Sequence, residues 1–304
     1  MELDQLLNDL SAKTADEFKS MPEVVDGGDN VDVGKLPIQA RKWTRINDIV
    51  AVVADLKSST QLGTGSKAAS TASIYEAGTG GLVKIYDTFD ADFVQIQGDG
   101  AFALFWGDGR FERAACAGIT VKTFSLDLVE KIETKWPNKP KTGFKVGIAS
   151  GRVLVKRVGT PRNPAQQEPI WAGKPVNYAA KAAQSADSHE LVVTGSVWDQ
   201  FEKNDYLAFT CPCGDGPSDT LWKDFEIDRL QTDAAEAQGR KLFSAWCSVC
   251  GTEFCDAILE GKKRREDVSE LRQARNQKQM ANALWFKAKR ERADRVARRE
   301  GSRR

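Results

Sequence analysis

Two aspartates carry the clearest chemistry in this 304-residue chain. Asp55 ends the apolar run of "IVAVVADLKSST", and Asp99 sits in the Gly-Asp-Gly turn of "VQIQGDGAFALF". Carboxylates at a strand end and in a tight turn are hard oxygen donors, suited to divalent cations that bridge the phosphates of a nucleoside triphosphate. The stretch after Asp55, "LKSSTQLGTGS", is small and hydroxylated, so the backbone amides of Ser58, Ser59 and Thr60 can face phosphate oxygens where a helix begins. A separate set of side chains lies downstream. Cys211-x-Cys213 and Cys247-x-x-Cys250 offer four thiolates for one structural zinc if the chain between them doubles back, with Cys255 as a rival ligand.

The elements that must position these groups follow from the spacing of apolar residues. A short amphipathic helix is expected from Leu3 to Lys19, followed by a Gly/Asp/Val stretch, "VVDGGDNVDVGKLP", read as a linker. Ile49 to Ala54 is a near-continuous apolar run, the signature of a strand covered on both faces. Helical spacing runs from about Ser66 to Phe89, and the "ADFVQIQGDGAFALFWG" segment reads as a hairpin. A helix from Phe111 to about Trp136 ends at Pro-Asn-Lys-Pro, then two strands, "FKVGIASG" and "RVLVKRVG", lead into a Pro-rich loop. "PVNYAAKAAQSA" opens a helix with Pro175 near its start, and "HELVVTGSVWDQF" supplies a last strand and helix. This order predicts an α/β (α+β) sheet layered with helices on a split β-α-β, ferredoxin-like core, in which Asp55 and Asp99 reach the same sheet edge. The sole histidine, His189, precedes a strand and is expected in a surface loop.

Composition excludes several classes. With 41% hydrophobic and 29% charged residues the chain is globular, and no stretch approaches the roughly 18 apolar residues of a membrane span. The polar, acidic N-terminus is not a signal peptide, so a cytoplasmic location is expected, where clustered cysteines bind metal more often than they form disulfides. The net charge of +1 conceals an asymmetry: Lys262 to Arg304 carries 16 Lys/Arg against 6 Asp/Glu. This basic stretch, with Val268, Leu271, Leu284, Trp285, Phe286 and Val296 as sparse apolar positions, is read as a solvated helix that neutralises an acidic body, in preference to a nucleic-acid contact. The expected division is 1–40 for the N-terminal helix and linker, 41–204 for a catalytic domain, 205–260 for the cysteine-containing extension and 261–304 for the basic helical tail.

"VAVVADLKSSTQL", "VQIQGDGAFALF" and "IWAGKPVNYAAKAA" resemble, in order and spacing, the three signature segments of class III nucleotide cyclases. The resemblance implies a head-to-tail homodimer with active sites shared between subunits. It implies two Mn²⁺ or Mg²⁺ ions held by Asp55 and Asp99, with the backbone carbonyl of Leu56 assisting. Asn177 matches the family asparagine that steadies the ribose. Lys181 stands where an arginine stabilises the reacting phosphorus, keeping a charge but not a planar fork. At the positions that read the base, Gln95 and Ile170 replace the groups that family adenylate and guanylate cyclases use. A neutral amide and an aliphatic side chain reproduce neither purine pattern.

These departures look like the bacterial pyrimidine cyclases of Pycsar anti-phage systems. The resemblance then implies conversion of UTP to 3′,5′-cyclic UMP and pyrophosphate during infection, with the product acting on a separate effector protein. Cyclic CMP from CTP and a non-catalytic nucleotide sensor are the alternatives. A diguanylate-cyclase-like reading fails on the hairpin, since "IQGDGAFALF" lacks paired acids after the glycines.

Overall fold

The computed structural model describes residues 2–38, 41–63, 67–160, 162–244, 246–281, 284, 285 and 287. It forms two compact units, one built from Met1–Trp198 with Asp224–Lys241, the other from Asp199–Lys223 with the chain from Leu242 on. No described helix is long and apolar enough to cross a membrane.

The first unit begins with α1 (Leu3–Phe18) and β1 (Glu23–Asp26), followed by β2 (Lys42–Leu56), the strand that carries Asp55. Ile49, Val50, Ala51, Val52 and Ala54 of β2 are all fully buried, as their unbroken apolar run requires of a central strand. After α2 (Ser59–Gly63) and α3 (Ala68–Thr88), the hairpin of β3 (Phe93–Gln97) and β4 (Gly100–Phe105) returns antiparallel to β2, with Ala54 opposite Ala101. α4 (Arg110–Lys135) leads to β5 (Phe144–Gly159), which lies on the other side of β2 with Asp55 opposite Lys145. β6 (Gln167–Gly173) pairs with β5, α5 (Lys174–Ser185) follows, and β7 (Leu191–Val193) runs parallel to β5. α6 (Gly195–Phe201) comes next; the chain then passes through α7 (Asp205–Ala208) of the second unit before β8 (Trp222–Glu226), α8 (Ala234–Ala237) and β9 (Gln238–Leu242). The sheet order is β3-β4-β2-β5-β7-β9-β8, with β1 added beside β2.

α5 is seated by small residues. It buries Pro175, Ala179, Ala182 and Ala183, and its Ala179 joins the core of Ile49, Ala51, Phe102 and Ala149. A Cβ on Gly147 of β5 would stand 2.0 Å from the carbonyl oxygen of Ala179 and 2.4 Å from the amide nitrogen of Ala183. Backbone cannot yield as a flexible side chain does. Gly147→Ala is therefore expected to lower unfolding free energy by about 3 kcal/mol through overpacking. Urea denaturation measures this, and a loss below about 1 kcal/mol would show that α5 does not lie on the strand backbone.

Several expected elements take another form. The stretch read as a linker supplies β1, whose Glu23 to Asp26 register with Lys42 to Arg45, and its Val31, Val33 and Leu36 pack on the main core. The two strands "FKVGIASG" and "RVLVKRVG" are one long β5, continuous through Gly151 at φ +144°. The Pro-rich loop contains β6, which tolerates Pro169 because it pairs on only one side, with β5. His189 is half-buried: its ring lies against Gly143, and its Nδ1 is 2.9 Å from Ser125 Oγ, which accepts the amide of Phe144. His189 stands in the turn before β7, as expected, and burial, with Lys122 nearby, pushes the imidazole below its usual range.

The expected extension 205–260 is divided as well. Ile227, Leu230 and Ala237 pack against Ala182, Ala186 and Val192, which ties 224–241 into the first unit. In the second unit α9 (Ser248–Leu259) follows the cysteine pair, and the start of the basic stretch is anchored. Val268 is buried with Ala208 and Phe209, and Leu271 packs on them. Buried Asp205 accepts the amide of Arg265 at 2.9 Å and the guanidinium groups of Arg264 and Arg272, while Arg275 meets Glu202 at 3.2 Å. Leu284 and Trp285 are exposed; Phe286 and Val296 lie outside the described residues.

Candidate active site

Sheet register brings the two acids together. Gly100, directly after Asp99, packs so closely on β2 that a Cβ there would stand 2.4 Å from the carbonyl oxygen of Ala54 and 3.2 Å from the Cα of Asp55. The turn bearing Asp99, opened by Gly98 at φ +64°, therefore rests on the backbone that carries Asp55. The Oδ2 of Asp99 is buried, with no hydrogen-bond partner among the described residues. Asp55 is 45% exposed, and its Oδ2 is 2.8 Å from Lys145 Nζ. A buried carboxylate oxygen without a partner is costly unless a cation or donor meets it. Two adjacent carboxylates, one with such an oxygen, fit a site for hard divalent cations.

Lys145 was not singled out by sequence. It is 17% exposed and lies directly across from Asp55. The available signal was its charge in the otherwise apolar "FKVGIASG", one residue from the strand's start. After Asp55 the chain turns sharply: Leu56 is the last residue of β2, Ser58 adopts φ +59°, and α2 starts at Ser59. The turn is braced, since Thr142 Oγ1 donates to the Lys57 carbonyl at 2.6 Å and the Lys57 amide donates to Gly143 at 3.0 Å. Lys57 also pairs with Asp187, whose carboxyl this ammonium holds below its usual range. Ser58, Ser59 and Thr60 thus follow Asp55 in a fixed turn.

Gln95 faces the same side of the hairpin as Phe93, whose ring packs 5.0 Å from that of Trp171. Its Nε2 donates to Glu168 Oε2 at 3.5 Å. Ile170 lies two residues beyond Glu168 on the same face of β6 and is 44% exposed. Glu168 is a second residue that sequence reading missed; only the period of two from Ile170 could have flagged it.

Asn177 and Lys181 are not gathered with the acids. They lie one helical turn apart on the side of α5 opposite its buried alanines, in an open groove of about 410 Å³ shared with Gly173, Lys174, Tyr178 and Gln184. None of Asp55, Asp99 or Gln95 lines this groove. Asn177 Nδ2 donates to the Gly173 carbonyl at 3.3 Å, and Lys181 Nζ lies 5.7 Å from the Tyr178 ring. Asp233 braces the helix start, 2.7 Å from Lys174 Nζ and accepting the Tyr178 hydroxyl at 3.1 Å. Lys174 holds the Asp233 carboxyl below its usual range, while burial and then the bond to Asp233 push the Tyr178 phenol up. One chain therefore presents two separate sets of candidate side chains. The cysteine quartet lies in the second unit.

The fold is that of class III nucleotide cyclases. The adenylyl cyclase CyaB from P. aeruginosa superposes with a TM-score of 0.51 at 14% identity, over 67% of this chain and 96% of that one. A bacterial light-regulated adenylyl cyclase gives the same TM-score at 12% identity, over 84% of this chain and 68% of that one. No protein-family model matches the sequence. Full-length similarity narrows the class: a uridylate cyclase of Micromonospora echinofusca is 55% identical over 302 residues, 99% of this chain and 98% of that protein. A uridylate cyclase of Propioniciclava tarda is 50% identical over 81% of this chain and 79% of that protein. The chain belongs to the uridylate cyclase family.

Proposed function

We propose that this chain converts UTP to 3′,5′-cyclic UMP and pyrophosphate in the cytoplasm, as the second messenger of an anti-phage response read by a separate effector protein. The observation that carries the chemistry is the buried, unpartnered oxygen of Asp99 beside Asp55. Asp55, Asp99 and the Leu56 carbonyl would hold two Mg²⁺ or Mn²⁺ ions, which when bound lower the pKa of the ribose 3′-hydroxyl and offset triphosphate charge. The 3′-oxygen forms its bond to the α-phosphorus as the bond to the bridging oxygen of the β-phosphate breaks. The hydroxyl proton passes to solvent and pyrophosphate leaves. Ser58, Ser59 and Thr60 direct backbone amides at the phosphates, and Lys145 supplies a fixed positive charge beside Asp55. In the shared-site reading, Asn177 orients the ribose and Lys181 offsets charge on the phosphorane, both from a second copy of the chain.

Glu168 gives a reason for uracil. Because Glu168 accepts from the Gln95 amide nitrogen, the amide oxygen of Gln95 is left to accept from a base. Uracil presents an N3–H donor there, and cytosine presents a bare N3 acceptor. Incubating the purified chain with each ribonucleoside triphosphate and Mn²⁺ and resolving the products chromatographically tests the reading: cyclic UMP is the expected main product. Glu168→Ala frees the amide to turn over, so the ratio of kcat/KM for UTP to that for CTP should fall about tenfold, about 1.4 kcal/mol. An unchanged ratio would remove Glu168 from base selection. Cyclic CMP as the main wild-type product would overturn the uracil reading, and absence of turnover would leave a nucleotide sensor.

A further inference from the structure

Four sulfurs from two stretches distant in sequence meet in the second unit. Cys211 and Cys213 lie just beyond α7, Cys247 stands at the N-terminal cap of α9, and Cys250 lies in its first turn. Their Sγ atoms all lie within 4.8 Å of one another, and Cys213 Sγ is 3.5 Å from both Cys247 Sγ and Cys250 Sγ. Zinc held at Zn–S distances of about 2.3 Å by a tetrahedron of thiolates requires sulfur-to-sulfur edges of about 3.8 Å. A disulfide requires about 2.05 Å, well short of the 3.5 Å that separates Cys213 Sγ from Cys247 Sγ and Cys250 Sγ. The quartet thus has the dimensions of a tetrahedral site, and Cys255, the rival in sequence, stands outside it.

We propose that Cys211, Cys213, Cys247 and Cys250 bind one structural Zn²⁺. Each thiol releases its proton to solvent as it ligates, and all four positions are then protein sulfur, which leaves none open for water or substrate. The Cys250 amide donates to Cys247 Sγ at 3.4 Å, at the positive end of α9, a contact that offsets thiolate charge and orients the ligand. Surrounding packing fixes the same place: Trp246 meets Phe254 edge to face at 5.7 Å and donates to the Tyr206 carbonyl at 3.2 Å, and Arg265 covers the Phe254 ring at 4.5 Å. The ion would also protect Cys213, an exposed thiol that unligated is open to oxidation. Its task is to staple 199–223 to the chain from Leu242 on, two stretches joined through residues 224–241 that belong to the other unit.

Metal analysis of the untagged full chain tests this without reference to turnover. Wild type should carry about one equivalent of zinc, the capacity of one four-thiolate site, and Co²⁺-exchanged protein should show visible bands of tetrahedral thiolate cobalt. Asp55→Asn and Cys255→Ser should keep the zinc, while Cys213→Ser and Cys247→Ser should lose most of it. Removing zinc with a mercurial and a chelator should lower the melting temperature of wild type. Wild type purified with four reactive thiols and no zinc, with iron in its place, or two protons lighter through a disulfide would overturn the site. Because these readouts use wild type, a cysteine variant that fails to fold does not blur the result, and zinc retained in Asp55→Asn separates this site from the catalytic one.

Discussion

Asp55→Asn should reduce cyclic UMP synthesis about 10³-fold, or about 4 kcal/mol of transition-state stabilisation, while leaving the fold intact. The amide keeps the shape of the carboxylate and can still accept from Lys145, so the strand contact at 2.8 Å survives. Only the negative charge that would draw cations to the proposed site is lost. Because Asp55 is 45% exposed, little packing depends on it, and the melting temperature should stay within a few degrees of wild type. Chromatographic rates with saturating UTP and Mn²⁺, paired with thermal melts, check both halves. A variant that retains more than a tenth of wild-type rate would show that Asp55 does not hold the ions. Asp99→Asn should lose a similar factor in rate but gain stability, because a neutral amide relieves the buried carboxylate oxygen that has no hydrogen-bond partner among the described residues.

The two aspartates were legible because local pattern sufficed. An apolar run ending in Asp predicts a buried strand that delivers a carboxylate to its end, and Gly-Asp-Gly between alternating segments predicts a hairpin turn; neither inference needs a distant residue. The cysteine quartet was legible as spacing, although its closure depends on how 224–241 leaves and returns. Lys145 and Glu168 were not legible, since each gains meaning only when a register is fixed: Lys145 opposite Asp55 across two strands, Glu168 within reach of Gln95 from a strand read as loop. β6 escaped notice because Pro169 reads as a breaker unless the strand is known to lie at an edge. β1 escaped because Gly27 and Gly28 read as a linker, though its pairing with Lys42 to Arg45 extends the catalytic sheet. Asp233, which braces Lys174 and Tyr178, sits far from them in sequence within a stretch expected to belong to the cysteine extension.

Mixing Asp55→Asn chains with Asn177→Ala chains should restore turnover that neither has alone. A single chain holds Asp55 and Asp99 together at one end of β2 and Asn177 with Lys181 in a groove that the acids do not line, so in the proposed shared site the two sets would come from different copies. In such a two-fold dimer each site would take its acids from one copy and its Asn and Lys from the other. Asn177 is exposed and its side chain bonds, among the described residues, only to the Gly173 carbonyl of its own helix start, so its removal should leave folding intact. In a heterodimer one site receives both lesions and the other receives none. With random exchange half the dimers are mixed and each carries one intact site of two, so the mixture should reach about a quarter of wild-type activity per chain. Cyclic UMP formation after co-refolding or co-expression of the pair measures this, with native mass spectrometry reporting the dimers. Dimers that form yet stay as inactive as the separate variants would place all the catalytic groups of each site on one chain.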